Sequence, residues 1–474
     1  MALFIAYIRE FGRFQRNAQL YLISNTLSGV SAGILLVLYN LYLVSLGYKT
    51  DFIGLVLFAG TLGAGIAIFP AGVCIDRIGG KMVLIATTLL FGVVGAAQIL
   101  FRQPNFLLAS GFIAGIITAF YLVVNAPYLT ANSTPEERSH LFSLNIVVQL
   151  GTMVLGEVLG GSLPQWLRSI SLLMAPLPLQ IQWLLATQSN ARSYQLALLS
   201  AGLIAVPSLI PLFLLSDDRP QRSDAREHPS HTKAHRERIR VWEGRPRSRI
   251  RGLMKAAGAL VWFKGIGKSG RDKSGPYMRA LIATPFFALL LAWILVGLGA
   301  GLFIPYFNVY FVQHLGASPA LFGLIDGGAN GINALLTLAA PLVAMRLGKI
   351  NTVVFTRLLS IPLLLIIGFT SVLPLAALIY LFRQGTMDMA VGVFQVYSME
   401  AVPEQRRGVA NSSYQAAMQV SWAATTPLGG LLIVHVGYTP VFVGGATLYL
   451  LAIILLWLRF RGGSINGQIN GAPG

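Results

Sequence analysis

Long apolar runs separated by short polar breaks organise this chain. An α-helix needs about 20 consecutive apolar residues to cross the hydrocarbon core of a bilayer. Twelve such runs occur, roughly 20–46, 52–74, 82–101, 105–131, 139–163 and 194–215, then 280–312, 319–344, 350–371, 375–400, 408–434 and 438–459. The stretch 170–186 is also apolar, but Pro176, Pro178, Gln180 and Gln182 make it a loop or interfacial segment instead of a further span. The pattern predicts an all-α polytopic membrane protein with 12 transmembrane helices.

The polar breaks repeat. Gly72-Val-Cys-Ile-Asp76-Arg77-Ile-Gly79-Gly80-Lys81 returns 269 positions later as Pro341-Leu-Val-Ala-Met345-Arg346-Leu-Gly348-Lys349. Pro135-Glu136-Glu137-Arg138 returns 268 positions later as Pro403-Glu404-Gln405-Arg406. Two unrelated signatures with one shared offset predict two homologous halves in tandem. Membrane proteins built this way are commonly transporters that rock one repeat against the other around a central site. The expected organisation is an N-terminal segment 1–19, a six-helix bundle 20–215, a basic linker 216–279, a second six-helix bundle 280–460 and a disordered tail 461–474.

Composition agrees with a lipid-facing surface. Only 11% of the residues are charged and the mean hydropathy is +0.68, against about 25% charged residues in soluble domains. The 50 glycines suit close helix packing in a membrane. The single cysteine, Cys74, excludes an intrachain disulfide and any multi-cysteine metal site. A net charge of +18 would suggest nucleic acid in a soluble protein, but its distribution says otherwise. Residues 217–279 hold 17 Lys/Arg against 7 Asp/Glu. With both termini cytosolic, the inside segments carry 29 Lys/Arg and the outside loops carry 4, namely Lys49, Arg102, Arg168 and Arg192. The positive-inside rule therefore sets both termini and the linker in the cytosol. A multi-pass protein of the plasma (inner) membrane is expected.

The N-terminus reads as no cleavable signal peptide, because no positive charge precedes its short apolar stretch. Phe4, Ile5, Ile8 and Phe11 with Arg9, Arg13 and Arg16 suggest an interfacial amphipathic helix, with a frayed tail as the alternative. Ile250–Lys264 has similar spacing and reads either as a segment on the inner leaflet or as a plain solvated linker.

Gly72-x3-Asp76-Arg77-x-Gly79-Gly80-Lys81 between spans 2 and 3 resembles the signature loop of the major facilitator superfamily. Arg346-x-Gly348-Lys349 sits in the equivalent loop between spans 8 and 9, and the resemblance covers about residues 15 to 460. It implies two pseudo-symmetric six-helix bundles. It also implies that Gly72, Asp76, Arg77, Gly79, Lys81 and Arg346 form a gating latch on the cytosolic side in the outward-open state. The physics of the loop agrees: a carboxylate there favours the positive end of a neighbouring helix, Arg77 can pair with Glu136 or Glu137, and Gly79 and Gly80 permit a tight turn. Met345 stands where the second copy would have its acid. Drug antiporters of the superfamily carry Gly-Pro-x-x-Gly-Gly in span 5, whereas here Glu157 replaces the proline before Gly160-Gly161. Those antiporters also carry an arginine in span 4, and none lies between Arg102 and Arg138.

A charge at mid-membrane costs roughly 2.5–3.5 kcal/mol on insertion scales, so each one calls for a function or a partner. An acid in a low-dielectric cavity can load and release a proton. The proton-coupling candidates are, in order, Asp388 in span 10, Asp326 in span 8 and Glu157 in span 5. Asn330 and Asn333 share the helical face of Asp326. Arg383 and Asp388 are about 140° apart on their helix and do not face the same way, while Gln384 and Gln395 share the Asp388 face. Arg357 is expected to snorkel, and Glu400 to sit at the rim. Candidate substrate-cavity residues are Asn25, Tyr39, Asn40, Asn125, Asn308, Asn330, Arg383, Gln415 and Gln419. Tyr39, Tyr42, Tyr306 and Tyr310 also fit an outer aromatic belt.

No P-loop occurs, and the Gly297-x-Gly299-x-Gly301 run lies inside span 7, so it packs helices and cradles no phosphate. The histidines form no metal-like constellation, and no clustered catalytic set is present, so neither cofactor, metal nor enzyme activity is expected. The expected function is proton-coupled export of a small drug-like molecule or metabolite by alternating access. The alternatives are uptake of a nutrient or organic anion by symport or uniport, and, more remotely, a non-transporting membrane sensor or membrane enzyme. The expected partners are a small-molecule substrate, protons and membrane lipids, with no nucleic acid, in a monomer.

Overall fold

The computed structural model describes residues 14–176, 178, 180, 182–216, 284–402 and 407–460. The N-terminal amphipathic segment, the basic linker and the glycine-rich tail lie outside the described residues. The first half contains α1 (Arg16–Ser45), α2 (Thr50–Ile78), α3 (Gly80–Leu100), α4 (Pro104–Ala131), α5 (Pro135–Ser169) and α6 (Ser189–Ala205). The second contains α7 (Pro285–Phe303), α8 (Pro319–Leu347), α9 (Lys349–Phe369), α10a (Leu373–Asp388) with α10b (Val391–Glu400), α11 (Arg407–His435) and α12 (Tyr438–Phe460). The fold is an all-α polytopic membrane protein in two six-helix bundles. Among the described residues, ten helices are long and apolar enough to cross a membrane, or eleven when α8, bent by 46°, counts as one span. The twelfth crossing is broken at Met389–Ala390, which leaves pieces of 16 and 10 residues.

Local chemistry explains the breaks. Pro207 opens a 3-10 turn (Val206–Ser208) after α6, and Leu209–Phe213 resumes the helix. Pro305 does the same after α7, where a 3-10 turn and then a π turn (Tyr310–His314) follow. Proline cannot donate the backbone bond that a continuous helix needs. Thr134 caps α5 and Ser318 caps α8 through their side-chain oxygens. Gly79 and Gly348 end α2 and α8 at φ 92° and 84°, backbone that L side chains rarely adopt. The tight turn therefore needs Gly79, while Gly80 is already the first residue of α3. The described residues of the stretch 170–186 are mostly loop with one helical turn (Ser171–Met174). Arg192, 3% exposed, pins it by donating to Leu173 O, Ala175 O, Ala186 O and Thr187 O.

The tandem repeat survives in individual hydrogen bonds. Tyr42 Oη donates to Ile99 O at 2.6 Å, and Tyr310 Oη, 268 positions on, donates to Ile367 O at 2.5 Å. Tyr42, Tyr306 and Tyr310 are 0–1% exposed, so they are bundle staples and not an aromatic belt. Tyr42→Phe is expected to lower the stability of the purified protein by about 0.5–1.5 kcal/mol, read as a drop in thermal midpoint. Tyr310→Phe is expected to lose more, because Gln195 also donates to Ile99 O and partly covers the first loss.

Each half has an even number of crossings, so the chain starts, changes halves and ends on one side, here called the linker end. At the opposite, far end a single apolar core runs through both halves: Val37, Leu38 and Leu41 join Phe303, Phe307 and Phe311. At the linker end each half has its own core. Tyr21, Leu84 and Leu141 belong to one, Trp293, Phe394 and Leu456 to the other. The halves meet along two seams, α5 on α8 and α2 on α11. Gly323 lets α8 approach α5 so closely that a Cβ there would lie 2.3 Å from Glu157 O. Its repeat mate Gly54 does the same on α11, where a Cβ would lie 2.9 Å from Pro427 Cα. Toward the linker end the same faces separate. A Cβ at Gly72, Gly151 or Gly331 would meet nothing within 4 Å, and Val147, Leu150 and Leu335 are exposed. The halves are thus sealed at the far end and parted at the linker end.

Candidate functional site

The membrane charges gather in two connected groups beside the seal. The first lies inside the second half. Gln384 Nε2 donates to Asp388 Oδ2 at 2.7 Å, and Arg383 Nη1 donates to Gln384 Oε1 at 3.2 Å. Helix phase sets Arg383 and Asp388 apart, and Gln384 joins them. Arg383 is 1% exposed and its guanidinium lies over Phe303 (5.1 Å) and Phe307 (5.7 Å). Arg357 does not snorkel. It is 2% exposed, its guanidinium sits 4.6 Å from the centre of Phe394, and it acts electrostatically on Asp388 together with Arg383. An aromatic face and a nearby carboxylate replace the water that snorkelling would have sought. Nε and Nη1 of Arg357, and Nε and Nη2 of Arg383, are buried without a hydrogen-bond partner. Such donors are costly to bury, and the Tyr449 hydroxyl faces the Arg383 guanidinium besides Gln384 and Asp388.

The second group straddles the α5–α8 seam. Glu157 is 0% exposed. Asn330 Nδ2 on α8 donates to its two oxygens at 3.1 and 3.2 Å. Asp326, one turn away on α8, acts electrostatically on Glu157 and accepts from Tyr380 Oη at 2.7 Å. Tyr380 in turn packs edge-on against Phe307, with ring centres 4.9 Å apart. A phenol donor to Asp326 is absent from the sequence reading. The signal was available in spacing, since Tyr380 stands one helical turn before Arg383. Asn333 points elsewhere and accepts from Thr337 Oγ1. Gln395 reaches Asn411, at 3.5 Å, and not Asp388.

Several cavity candidates have other occupations. Asn40 Nδ2 donates to Pro305 O at 2.7 Å and to Asn308 Oδ1 at 3.3 Å, while Asn308 Nδ2 donates to Val37 O. These two asparagines are 268 positions apart and are repeat mates that stitch the far-end seal. Asn25 is 3% exposed and is consumed within its own half by Asn145 and Tyr121. Tyr39 Oη is buried beside the far-end cluster of Leu43, Ile53 and Val56. Asn125 is half-buried on α4. Gln415 and Gln419 are exposed one turn apart on α11, in the stretch where the halves have separated. Polar side chains there suit a water-filled cleft far better than lipid.

At the linker end, Arg77 and Arg346 are exposed on the separated halves. The side chains of Asp76, Glu136 and Arg138 lie outside the described residues. Lys81 Nζ donates to Leu215 O at 2.6 Å within its own half, where a cation suits the last carbonyls of a helix. Its repeat mate Lys349 pairs with Glu400. Glu400 is therefore a tie between α9 and α10b and more than a rim residue. No group of three or more metal-ligating side chains occurs among the described residues.

Comparison with known proteins agrees with this architecture. The uncharacterized MFS-type transporter YhhS of Escherichia coli strain K12 is 25% identical over 190 residues, 40% of this chain and 46% of that protein. The YhhS of Salmonella typhi is 27% identical over 191 residues. The matched region thus spans less than half the length of these relatives. Among solved structures, a bacterial homologue of the human lysosomal transporter Spinster, inward-facing and unoccupied, superimposes with TM-score 0.67 at 13% identity, over 97% of this chain and 98% of that one. A D-xylose–proton symporter gives TM-score 0.62 at 16% identity, over 93% and 97% of the two chains. The sequence family described as Major Facilitator Superfamily matches residues 21–288 and 289–472, one match for each half. With its tandem six-helix halves and its seams of small residues, this chain belongs to the major facilitator superfamily of membrane transporters.

Proposed function

We propose that the protein is a secondary active exporter of a small molecule, driven by proton antiport across the plasma (inner) membrane, with both termini and the basic linker in the cytosol. The observation that carries the transport reading is the uneven contact between the halves. They share one core and two glycine seams at the far end and have separate cores at the linker end. Helical faces that touch at one end and lie bare at the other are what a rocking pair of bundles presents in one of its two states. With the linker in the cytosol, as its Lys/Arg excess argues, this state faces inward.

Gly72, Asp76, Arg77, Gly79, Lys81 and Arg346 then sit where a latch would close the cytosolic side in the opposite state. Asp388, Asp326 and Glu157 are the candidate proton carriers. Gln415 and Gln419 line the cleft that a substrate would enter. The unpartnered donors of Arg357 and Arg383 favour a second reading, the carriage of an organic anion by symport. Sealed vesicles with an imposed pH gradient separate the two. Antiport predicts substrate accumulation with the gradient of one sign, and symport with the other. Accumulation indifferent to the gradient counts against proton coupling. For orientation, a cysteine at Ser230 is expected to escape an impermeant thiol reagent added to intact cells, while one at Ser318, exposed at the far end, reacts. The reverse result overturns the topology.

A further inference from the structure

We infer that the coupling proton is held at the α5–α8 seam, shared by Glu157 and Asp326, and that its loss drives the far end open. This rests on the proton-coupled reading above and moves the carrier away from Asp388.

The two seams are repeat mates, and comparing them isolates what packing does not require. Gly54 and Gly323 are equivalent, as are Thr426 and Glu157, Leu57 and Asp326, and Thr61 and Asn330, each pair 269 positions apart. The α2–α11 seam closes with Thr50 Oγ1 donating to Gly430 O and Tyr306 Oη to Thr426 O, and with no acid at these positions. A tight seam can therefore be built from neutral residues. The α5–α8 seam instead holds one fully buried carboxyl, Glu157, against a half-buried carboxyl and a half-buried amide, which closure alone does not explain.

The surroundings of the acids differ in sign. Asp388 faces Arg383 and Arg357, two cations that offset part of the cost of burying a charge there. Glu157 faces Asp326 and Asn330 from α8, and Asp326 faces Tyr380 from α10a. Arg383 reaches this group only through Tyr380. From α1, the groups packed on α5 at this level are Val30, Gly33 and Ile34, which carry no charge. A fully buried carboxyl beside a second one, with no cation facing either, does not ionise while its neighbour is charged, so the pair keeps one proton.

The seal and the proton thus depend on each other. With one proton on the pair, Asn330 bridges the halves and the seam stays shut. The path for its departure lies toward the linker end, where Gly151 and Gly331, the next turns of the two helices, have separated. When Glu157 gives its proton to water in that cleft, two carboxylates oppose each other across the seam and push α5 from α8 at the far end. Uptake of a proton from the far side restores the pair and closes the seam. One proton moves inward per cycle.

The test needs no substrate. Spin labels at Ser162→Cys and Leu321→Cys report the far end of the α5–α8 seam, and labels at Val147→Cys and Leu342→Cys report the linker end. Both pairs are placed in full-length protein with Cys74→Ser, reconstituted in liposomes. From acidic to alkaline pH, the far-end distance is expected to lengthen and the linker-end distance to shorten. The open population should rise about tenfold, the ratio set by one unit of coupling between two carboxyls. Glu157→Gln and Asp326→Asn are each expected to abolish the response and hold the far end shut, because repulsion needs both charges. A response that survives in both variants overturns the assignment and leaves proton coupling to another acid. Distances that ignore pH in the wild-type background overturn the coupling reading as well.

Discussion

Gly323→Leu is expected to abolish transport while leaving both bundles folded. The Cβ of any residue at this position falls 2.3 Å from Glu157 O and 3.3 Å from Gly161 Cα. Both are backbone atoms of α5 and cannot swing aside as a side-chain end can. The seam must widen, and the far-end-closed state loses roughly 1–3 kcal/mol, the usual cost of overpacking. That corresponds to a population shift of roughly five- to a hundredfold. Gly54→Leu is expected to act alike on the other seam, where Pro427 Cα and Thr426 O lie about as close. Gly92→Leu on α3 is the control, since its Cβ meets nothing within 4 Å and α3 takes no part in either seam. The measurement is disulfide trapping between Ser162→Cys and Leu321→Cys, alongside uptake into vesicles. Efficient trapping in Gly323→Leu would show that the far-end seal does not depend on this close approach.

Asp388→Asn is expected to be the most destabilising of the acid-to-amide changes. Removing one member of a buried charge network leaves its partners uncompensated and costs about 3–5 kcal/mol. Here the partners are Arg357 and Arg383, 2% and 1% exposed. Adding Arg383→Met should recover part of the loss, because one unmatched charge goes with it. Thermal unfolding of the purified variants measures both effects. A dedicated proton carrier would behave differently, since a carboxyl that spends part of its cycle neutral tolerates an amide. If Asp388→Asn unfolds at the wild-type midpoint and loses gradient-driven accumulation while keeping substrate exchange, Asp388 carries the proton after all.

Much of the fold is legible in the chain because lipid imposes a local rule. Every spanning segment must satisfy its own backbone and show an apolar exterior, so the spans appear as runs. Duplication adds a second local signal, since Gly79 and Gly348 must both be glycine to turn at positive φ. The helix ends were less legible. α5 runs from Pro135 to Ser169, well beyond the apolar run 139–163, because a helix continues into the interface as long as its backbone bonds allow.

The site divides along the same line. Sequence alone determined that this is a two-half, all-helical membrane protein, and it named Glu157, Asp326, Arg383 and Asp388 as charges in need of partners. Their type and depth are properties of a single helix and can be read from one. The partners are properties of helix pairs that lie far apart in the chain. Only the tertiary structure set Asn330 against Glu157, 173 positions away, gave Tyr380 to Asp326, buried Arg357 on Phe394, and turned Asn40 and Asn308 from cavity candidates into a far-end stitch. It also decided which end of the molecule is shut, because identical faces on α5 and α8 touch at Gly323 and part at Gly331. That choice lies in the tilt between two rigid bundles, which no run of residues encodes.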